Sequence, residues 1–344
     1  MNHQMKNRDS IVTFGESLLR LSPPDHLRWQ QTHVYESFFG GAEANVAVSL
    51  AHFALLAQYV TCLPDNELGI ACIQSLRGHG VGIDFIRWGG ERLGLYFLEV
   101  GSGKRPSRVV YDRAHTSFAT MEEDAISWER VFSRAGWFHW SGISPALSAD
   151  TARIMTNAVD SARKHGLVIS CDLNYRHSLW QWGMSPADVM PRMVEQCDVL
   201  VANSAHLMLG LPNLPAGQHP AEAGEVCSRL SARFPRLKHI ALTCRETGAA
   251  GDQRFTGILW QAGQIYSSPT FPLTQIVDRV GSGDAFMAGL IYGLVSMSDD
   301  PQRIVDFATT CAVIKHSIKG DVNLAGRGEI EHLLKTQSGM DIIR

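Results

Sequence analysis

Runs of about four to six residues, mostly apolar, separated by stretches with helical spacing, set the limits on how this chain can fold. They lie at 11–14, 59–63, 137–140, 167–172, 198–202 and 240–243. Helical patterns fall between them, at 42–56, 68–77 and 149–165, with Gly40-Gly41 before the first and Gly78 and Gly80 after the second. Short buried strands that alternate with helices make βαβ units and a mostly parallel sheet. Right-handed crossovers then cover both faces of that sheet with helices. The 344 residues suit about two domains or one large α/β domain with an insertion. The reading is a single domain over 1–344, with a small antiparallel β flap inserted by segments at about 15–38 and 88–114. The flap breaks the rhythm: 93–100 and 105–111 are strand patterns around Gly101-Ser102-Gly103-Lys104, with no helix between them. Lys104, Arg105 and Arg108 read as its solvated rim. The clearest loop is 211–220, which holds three prolines.

Charge excludes several classes. Lys+Arg number 31 and Asp+Glu 34, so neither a basic nucleic-acid binder nor an acidic tail fits. The first ten residues lack an apolar signal core, and the longest apolar region, 44–60, is interrupted by Asn45, Ser49, His52 and Gln58. A soluble cytoplasmic protein with no membrane partner is expected. The seven cysteines form no CxxC and no zinc-like spacing, and read as buried reduced thiols.

The chemistry is concentrated at Asp278-Arg279-Val280-Gly281-Ser282-Gly283-Asp284-Ala285-Phe286. The block follows an apolar stretch at 274–277, read as a strand, and opens an apolar helix over 285–295. Glycines at a strand-to-helix turn bare backbone N–H groups, and the helix N-terminus adds partial positive charge, which suits a phosphate. Asp284 in the first turn can be a helix-capping residue. It can equally accept a proton from a substrate hydroxyl beside that phosphate. The phosphate loop with GK[ST] and the protein-kinase motifs are absent.

The D-x-x-G-x-G-D block resembles the carboxyl-terminal signature of the ribokinase-like (PfkB) carbohydrate kinases. Gly40-Gly41-Ala42-Glu43-Ala44-Asn45-Val46-Ala47 resembles their amino-terminal signature. The resemblance runs from about residue 11 to 326. Within the family the chain looks most like the 2-keto-3-deoxygluconate kinases, through Gly15-Glu16, Gly94-Leu95-Tyr96-Phe97, Tyr111-Asp112-Arg113 and Asp172-Leu173-Asn174-Tyr175-Arg176. A sugar acid needs a cation for its carboxylate, ideally a guanidinium fork, and Arg113 and Arg176 are the candidates.

The resemblance implies ATP-dependent, magnesium-assisted phosphorylation of the acid's terminal hydroxyl. Asp284 would be the base, and Gly281, Ser282 and Gly283 would hold the transferring phosphate. Gly40, Gly41, Asn45, Tyr96, Tyr111, Arg113 and Arg176 would bind the sugar acid. Asn203, Thr243, Gly248, Lys315 and Asn323 would line the nucleotide. Asp172 is a candidate metal ligand, and Asp278 falls where some relatives build a loop for a monovalent cation such as K+. Flap sheets in the family pair between subunits, which implies a homodimer. The alternatives are a kinase of fructose, ribose or 5-dehydro-2-deoxygluconate, and a non-catalytic sugar or nucleotide sensor.

Two positions depart from the pattern. Asn203-Ser204-Ala205-His206 has His206 where relatives carry a glutamate that organises magnesium. That leaves Asp172, Glu246 or water to supply the charge. Thr243-Cys244-Arg245-Glu246-Thr247-Gly248 has Arg245 in place of a glycine. Arg245 either contacts a nucleotide phosphate or rebuilds the loop.

Overall fold

The computed structural model describes residues 10–247 and 253–336. Its larger sheet runs in the order Gln264–Ser267, Gln253–Gln261, His239–Thr247, Val199–Val201, Val168–Asp172, Ala135–Ser141, Ser10–Phe14, Ala57–Val60, with Phe271–Leu273 also paired to Gln253–Gln261. The six strands from His239–Thr247 to Ala57–Val60 are parallel throughout. The remaining pairs are antiparallel. The chain leaves Ser10–Phe14 for Ala57–Val60 on one side, then returns to Ala135–Ser141 on the other. That reversal is where open α/β sheets leave a crevice at the carboxyl ends of their strands.

Successive residues of a strand face opposite sides, and the core divides accordingly. Val12 and Phe14 pack with Ile154, Met155, Val226 and Leu230, on helices Ala149–Lys164 and Ala223–Arg233. Ile11 packs with Val46, Leu50, Phe286 and Phe307, on helices Ala42–His52, Ser282–Ser296 and Pro301–Lys315. Helices thus cover both faces, as the alternating pattern requires.

Several expectations are corrected. The stretch 274–277 is not a strand; the strand is Phe271–Leu273. The N–H groups of Val277 and Asp278 bond the carbonyl of His316 instead of a neighbouring strand. The helix expected over 42–56 stops at His52, where Ala54 turns left-handed (φ 63°). The run 59–63 divides into Ala57–Val60 and Cys62–Leu63, and the latter pairs with Arg87–Trp88.

The lid is a four-stranded sheet in the order Glu36–Gly40, Leu18–Ser22, Gly94–Glu99, Arg108–Asp112. Its outer pairs are antiparallel, but the central pair, Leu18–Ser22 with Gly94–Glu99, is parallel. Arg105 is not on a free rim, because its Nη1 sits 2.6 Å from Glu99 Oε1. All seven cysteines are buried free thiols. Among the described residues no helix is long and apolar enough to cross a membrane.

Candidate active site

The carboxyl ends of five neighbouring strands place Gly15, Ser141, Asp172, Asn203 and Thr243 along one edge of the sheet. The amino end of helix Ser282–Ser296 belongs to the same region, through the contact of its Asp284 with Asn45. Gly281 caps that helix at φ 80°, and a Cβ there would lie 1.8 Å from the carbonyl oxygen of Asp321. Only glycine takes that conformation at that approach. Gly283 has open space on its side-chain face. The first N–H groups of the helix have no acceptor within it, so the turn presents donors and positive potential to an anion.

Asp284 projects from the first turn and is partly buried. Asn45 Nδ2 donates to its Oδ2 at 2.7 Å, joining two residues 239 apart in the chain. Asn45 Oδ1 is buried with no protein partner. Burial pushes the Asp284 carboxyl up to about 7; Asp172 and Glu43 add to the rise, against Asn45 and Arg176. Glu43 is also held near 7 by burial, although the backbone N–H and hydroxyl of Ser141 donate to its Oε1 at 3.0 and 2.6 Å. Asp172 sits at about 6 for the same reason, with its Oδ1 accepting from the N–H of Asn174 at 3.0 Å. Three carboxyl groups thus share one site, and burial holds each of them above the ordinary carboxylate range.

Cations face them. Arg245 Nη2 donates to Ser282 Oγ at 2.6 Å, and its guanidinium lies 5.6 Å from the Phe255 ring centroid. Burial lowers its affinity for its proton, and the charges of Arg279 and Arg176 lower it further. Arg176 is exposed, and among the described residues its guanidinium has no hydrogen-bond partner. Its charge nevertheless acts on both Asp172 and Asp284. Arg113 differs: its Nε donates to Glu16 Oε2 at 2.9 Å and its Nη2 bonds the same oxygen. Two of its donors are therefore committed, and the carboxylate-binding role given to two arginines fits Arg176 better.

Other expected residues stand as follows. Gly41 has φ 146°, and a Cβ on it would meet the Glu16 carbonyl at 2.2 Å, while one on Gly40 would meet the Asp321 side chain. Tyr111 is exposed beside Tyr96, their centroids 5.9 Å apart. Tyr96 itself is buried and donates to Asp321 Oδ1 at 2.7 Å, so its hydroxyl is occupied. Asn203 and Thr243 satisfy each other: Asn203 Oδ1 accepts from the Thr243 N–H and hydroxyl, each at 3.0 Å. They shape the strand ends more than they reach outward. Gly248 lies outside the described residues. Asn323 is buried and its Oδ1 accepts from the N–H of Ala325. Lys315 is fully buried beneath the Gly281 turn, so it does not face open space as a nucleotide-lining residue must. Both Asp278 oxygens already accept hydrogen bonds, Oδ1 from the Val280 N–H and Oδ2 from Arg20 and the Gly320 N–H. His206 Nδ1 is buried without a partner. Among the described residues no cluster of three acidic, histidine or cysteine side chains is arranged to hold a metal.

Three residues of the site escape a reading by sequence: Glu43, Arg20 and Asp321. Glu43 stands inside the amino-terminal signature, where an acid in the first helical turn passes as a favourable charge on the helix end. Arg20 and Asp321 meet across 301 residues, and nothing local announces the pair.

Comparison with known proteins gives the family. The pfkB family of carbohydrate kinases is matched over residues 8–324. A 2-dehydro-3-deoxygalactonokinase of Haloferax volcanii is 31% identical over 329 residues, covering 94% of this chain and 96% of that protein. The crystal structure of a 2-dehydro-3-deoxygluconokinase of Thermotoga maritima superimposes with a TM-score of 0.89 at 39% identity, over 95% of this chain and 99% of the other. A fructokinase of Xylella fastidiosa with bound ATP shares the fold, with a TM-score of 0.76 at 22% identity, over 96% and 99% of the two chains.

Proposed function

The chain belongs to the pfkB family of carbohydrate kinases and is an enzyme that phosphorylates a sugar, and on that premise we propose that it transfers the terminal phosphoryl group of ATP to the terminal hydroxyl of 2-keto-3-deoxygluconate. The observation that carries the reading is Asp284 in the first turn of the Gly281 helix, held by Asn45 and titrating near neutrality. Asp284 takes the proton of the sugar hydroxyl. The freed oxygen electron pair attacks phosphorus, and the bond to the bridging oxygen breaks with its electrons leaving on ADP. The N–H groups at Gly281–Gly283 and the Arg245 guanidinium hold the charge on the phosphoryl oxygens. Donors fixed before the reaction need no reorganisation during it. Arg176 takes the sugar carboxylate, and Asn45 Oδ1 accepts from a sugar hydroxyl. Magnesium fits as an ion carried in on the nucleotide phosphates, because it keeps most of its waters and needs few protein ligands; it would neutralise phosphate charge. Asp172 is the carboxylate that would meet that hydration shell.

The test is ADP release with Mg-ATP across 2-keto-3-deoxygluconate, 2-keto-3-deoxygalactonate, 5-dehydro-2-deoxygluconate and neutral sugars. Selective turnover of the first supports the assignment. Preference for the second, which the Haloferax relative makes the nearest competitor, keeps the acid site and changes the stereochemistry. Turnover of neutral sugars alone discards the carboxylate argument. Arg176→Ala is expected to raise KM for the acid roughly 10- to 100-fold, because a charge-assisted hydrogen bond contributes about 1.5–3 kcal/mol. The kcat should move far less. A KM within threefold of the parent would remove Arg176 from the substrate site.

The outer lid strand Arg108–Asp112 is exposed along its whole length, with Val109, Val110 and Tyr111 uncovered. An open apolar edge of this kind is ordinarily covered. We propose a second copy as the cover, giving a homodimer. Sedimentation at micromolar concentration is expected to give the dimer mass, and a monomer alone would eliminate it.

A further inference from the structure

A closed charge cluster lies directly behind the phosphate-binding turn. Arg20, Lys315, Asp278 and Asp321 are 1%, 0%, 4% and 1% exposed. Arg20 Nη2 is 2.6 Å from Asp278 Oδ2, and its Nη1 is 3.3 Å from Asp321 Oδ1. The Arg20 guanidinium is also 4.6 Å from the centroid of the Phe38 ring, and Tyr96 closes the other side of Asp321. Lys315 Nζ donates to the carbonyl of Ile318 at 2.8 Å, and its Cε is 3.3 Å from where a Gly281 Cβ would stand. Two cations and two carboxylates balance without any bound ion.

This arrangement bears on the monovalent cation that the family resemblance places at Asp278. A bare cation needs several oxygen ligands with lone pairs to spare. Here both Asp278 oxygens already accept N–H donors. The Ile318 carbonyl is capped by an ammonium. An added charge would also face Arg20 and Lys315 at close range in a buried setting, where like charges are poorly screened. The donor set does not fit the ion.

We propose that the enzyme works without a bound monovalent cation, and that the Lys315 ammonium and Arg20 guanidinium are the permanent positive charges behind the Gly281 turn. Lys315 is a positioning residue: it touches no substrate, and acts by fixing the turn and adding positive potential behind its N–H groups. The pull of Asp278 and Asp321 works against the loss of its proton on burial.

The inference rests on the kinase reading for its rate measurement only. With the acid that turns over, kcat in 100 mM KCl and in 100 mM choline chloride should agree within twofold. Activation by K+ of tenfold or more would overturn the proposal. An independent measurement needs no substrate: the melting temperature of the ligand-free protein, titrated with KCl against choline chloride at constant ionic strength. The two titrations should coincide, because a specific ion bound to the folded state would raise the temperature with concentration. A rise specific to K+ also overturns it. Lys315→Ala supplies the third arm: kcat should fall at least tenfold in choline, with KM for ATP and sugar changing less than threefold, and ammonium or K+ should restore part of the rate. Full activity of that variant in choline would remove Lys315 from the role. If it fails to fold, the two measurements on the parent protein still decide.

Discussion

Asp284→Asn should bind sugar and ATP with affinities close to the parent and lose turnover by roughly 10²–10⁴, the usual worth of a positioned general base. Asparagine keeps an oxygen to accept the Asn45 amide, so the 2.7 Å contact survives and the helix end is undisturbed. Equilibrium binding by calorimetry beside kcat separates the two effects. Turnover within tenfold of the parent would end the assignment of Asp284 as base. The pH profile gives a second signature. The base must be ionised to act, and burial beside Asp172 and Glu43 raises its carboxyl to about 7. The kcat/KM of the parent should therefore fall as pH drops through about 7, well above the ordinary aspartate range. A plateau extending down to pH 5 would contradict the raised ionisation.

Arg20→Met should destabilise the fold by about 3–5 kcal/mol, the cost of removing one partner from a buried ion cluster and leaving carboxylates uncompensated. Methionine keeps most of the aliphatic stem but lacks the guanidinium that lies 4.6 Å from the Phe38 ring centroid, so that contact is lost together with the ion pairs. The loss should shrink on acidification. Asp321 already sits near 6 through burial, against the pull of Arg20. Without Arg20 its carboxyl rises further, so protonation relieves the unpaired charge at higher pH than before. Urea melts at pH 8 and pH 5.5 measure both quantities. A loss below 1 kcal/mol, or one independent of pH, would mean that water solvates these carboxylates.

What the sequence disclosed follows from how local each signal is. The inner strands are readable because burial on both faces leaves nearly continuous apolar runs, such as 137–140 with the single polar residue His139. The turn at Gly281–Asp284 was readable because its glycines and acid are adjacent in the chain, and the structure places them at a helix end as that spacing demands. The stretch 274–277 misled because an apolar run says nothing about where its N–H groups bond; Val277 bonds His316. Arg20 sits in Leu18–Ser22 at a place where alternation suggests a solvent-facing residue, and it is Asp278, Asp321 and the Phe38 ring that bury it. Arg113 reads as an available cation in the sequence, but Glu16, 97 residues earlier, holds it. Long-range electrostatic pairs leave no periodicity, and they account for most of what was missed.

The same contacts limit how the lid can travel. Arg20 and Tyr96 lie on its two central strands, and both are pinned to residues that wall the phosphate turn. A rigid swing of the whole sheet would break those buried bonds at every turnover. These bonds fix the lid's root, so any movement would be left to the distal part, above all the exposed strand Arg108–Asp112. Any widening of the mouth to admit a sugar would then fall to that outer flap, with the root left in place.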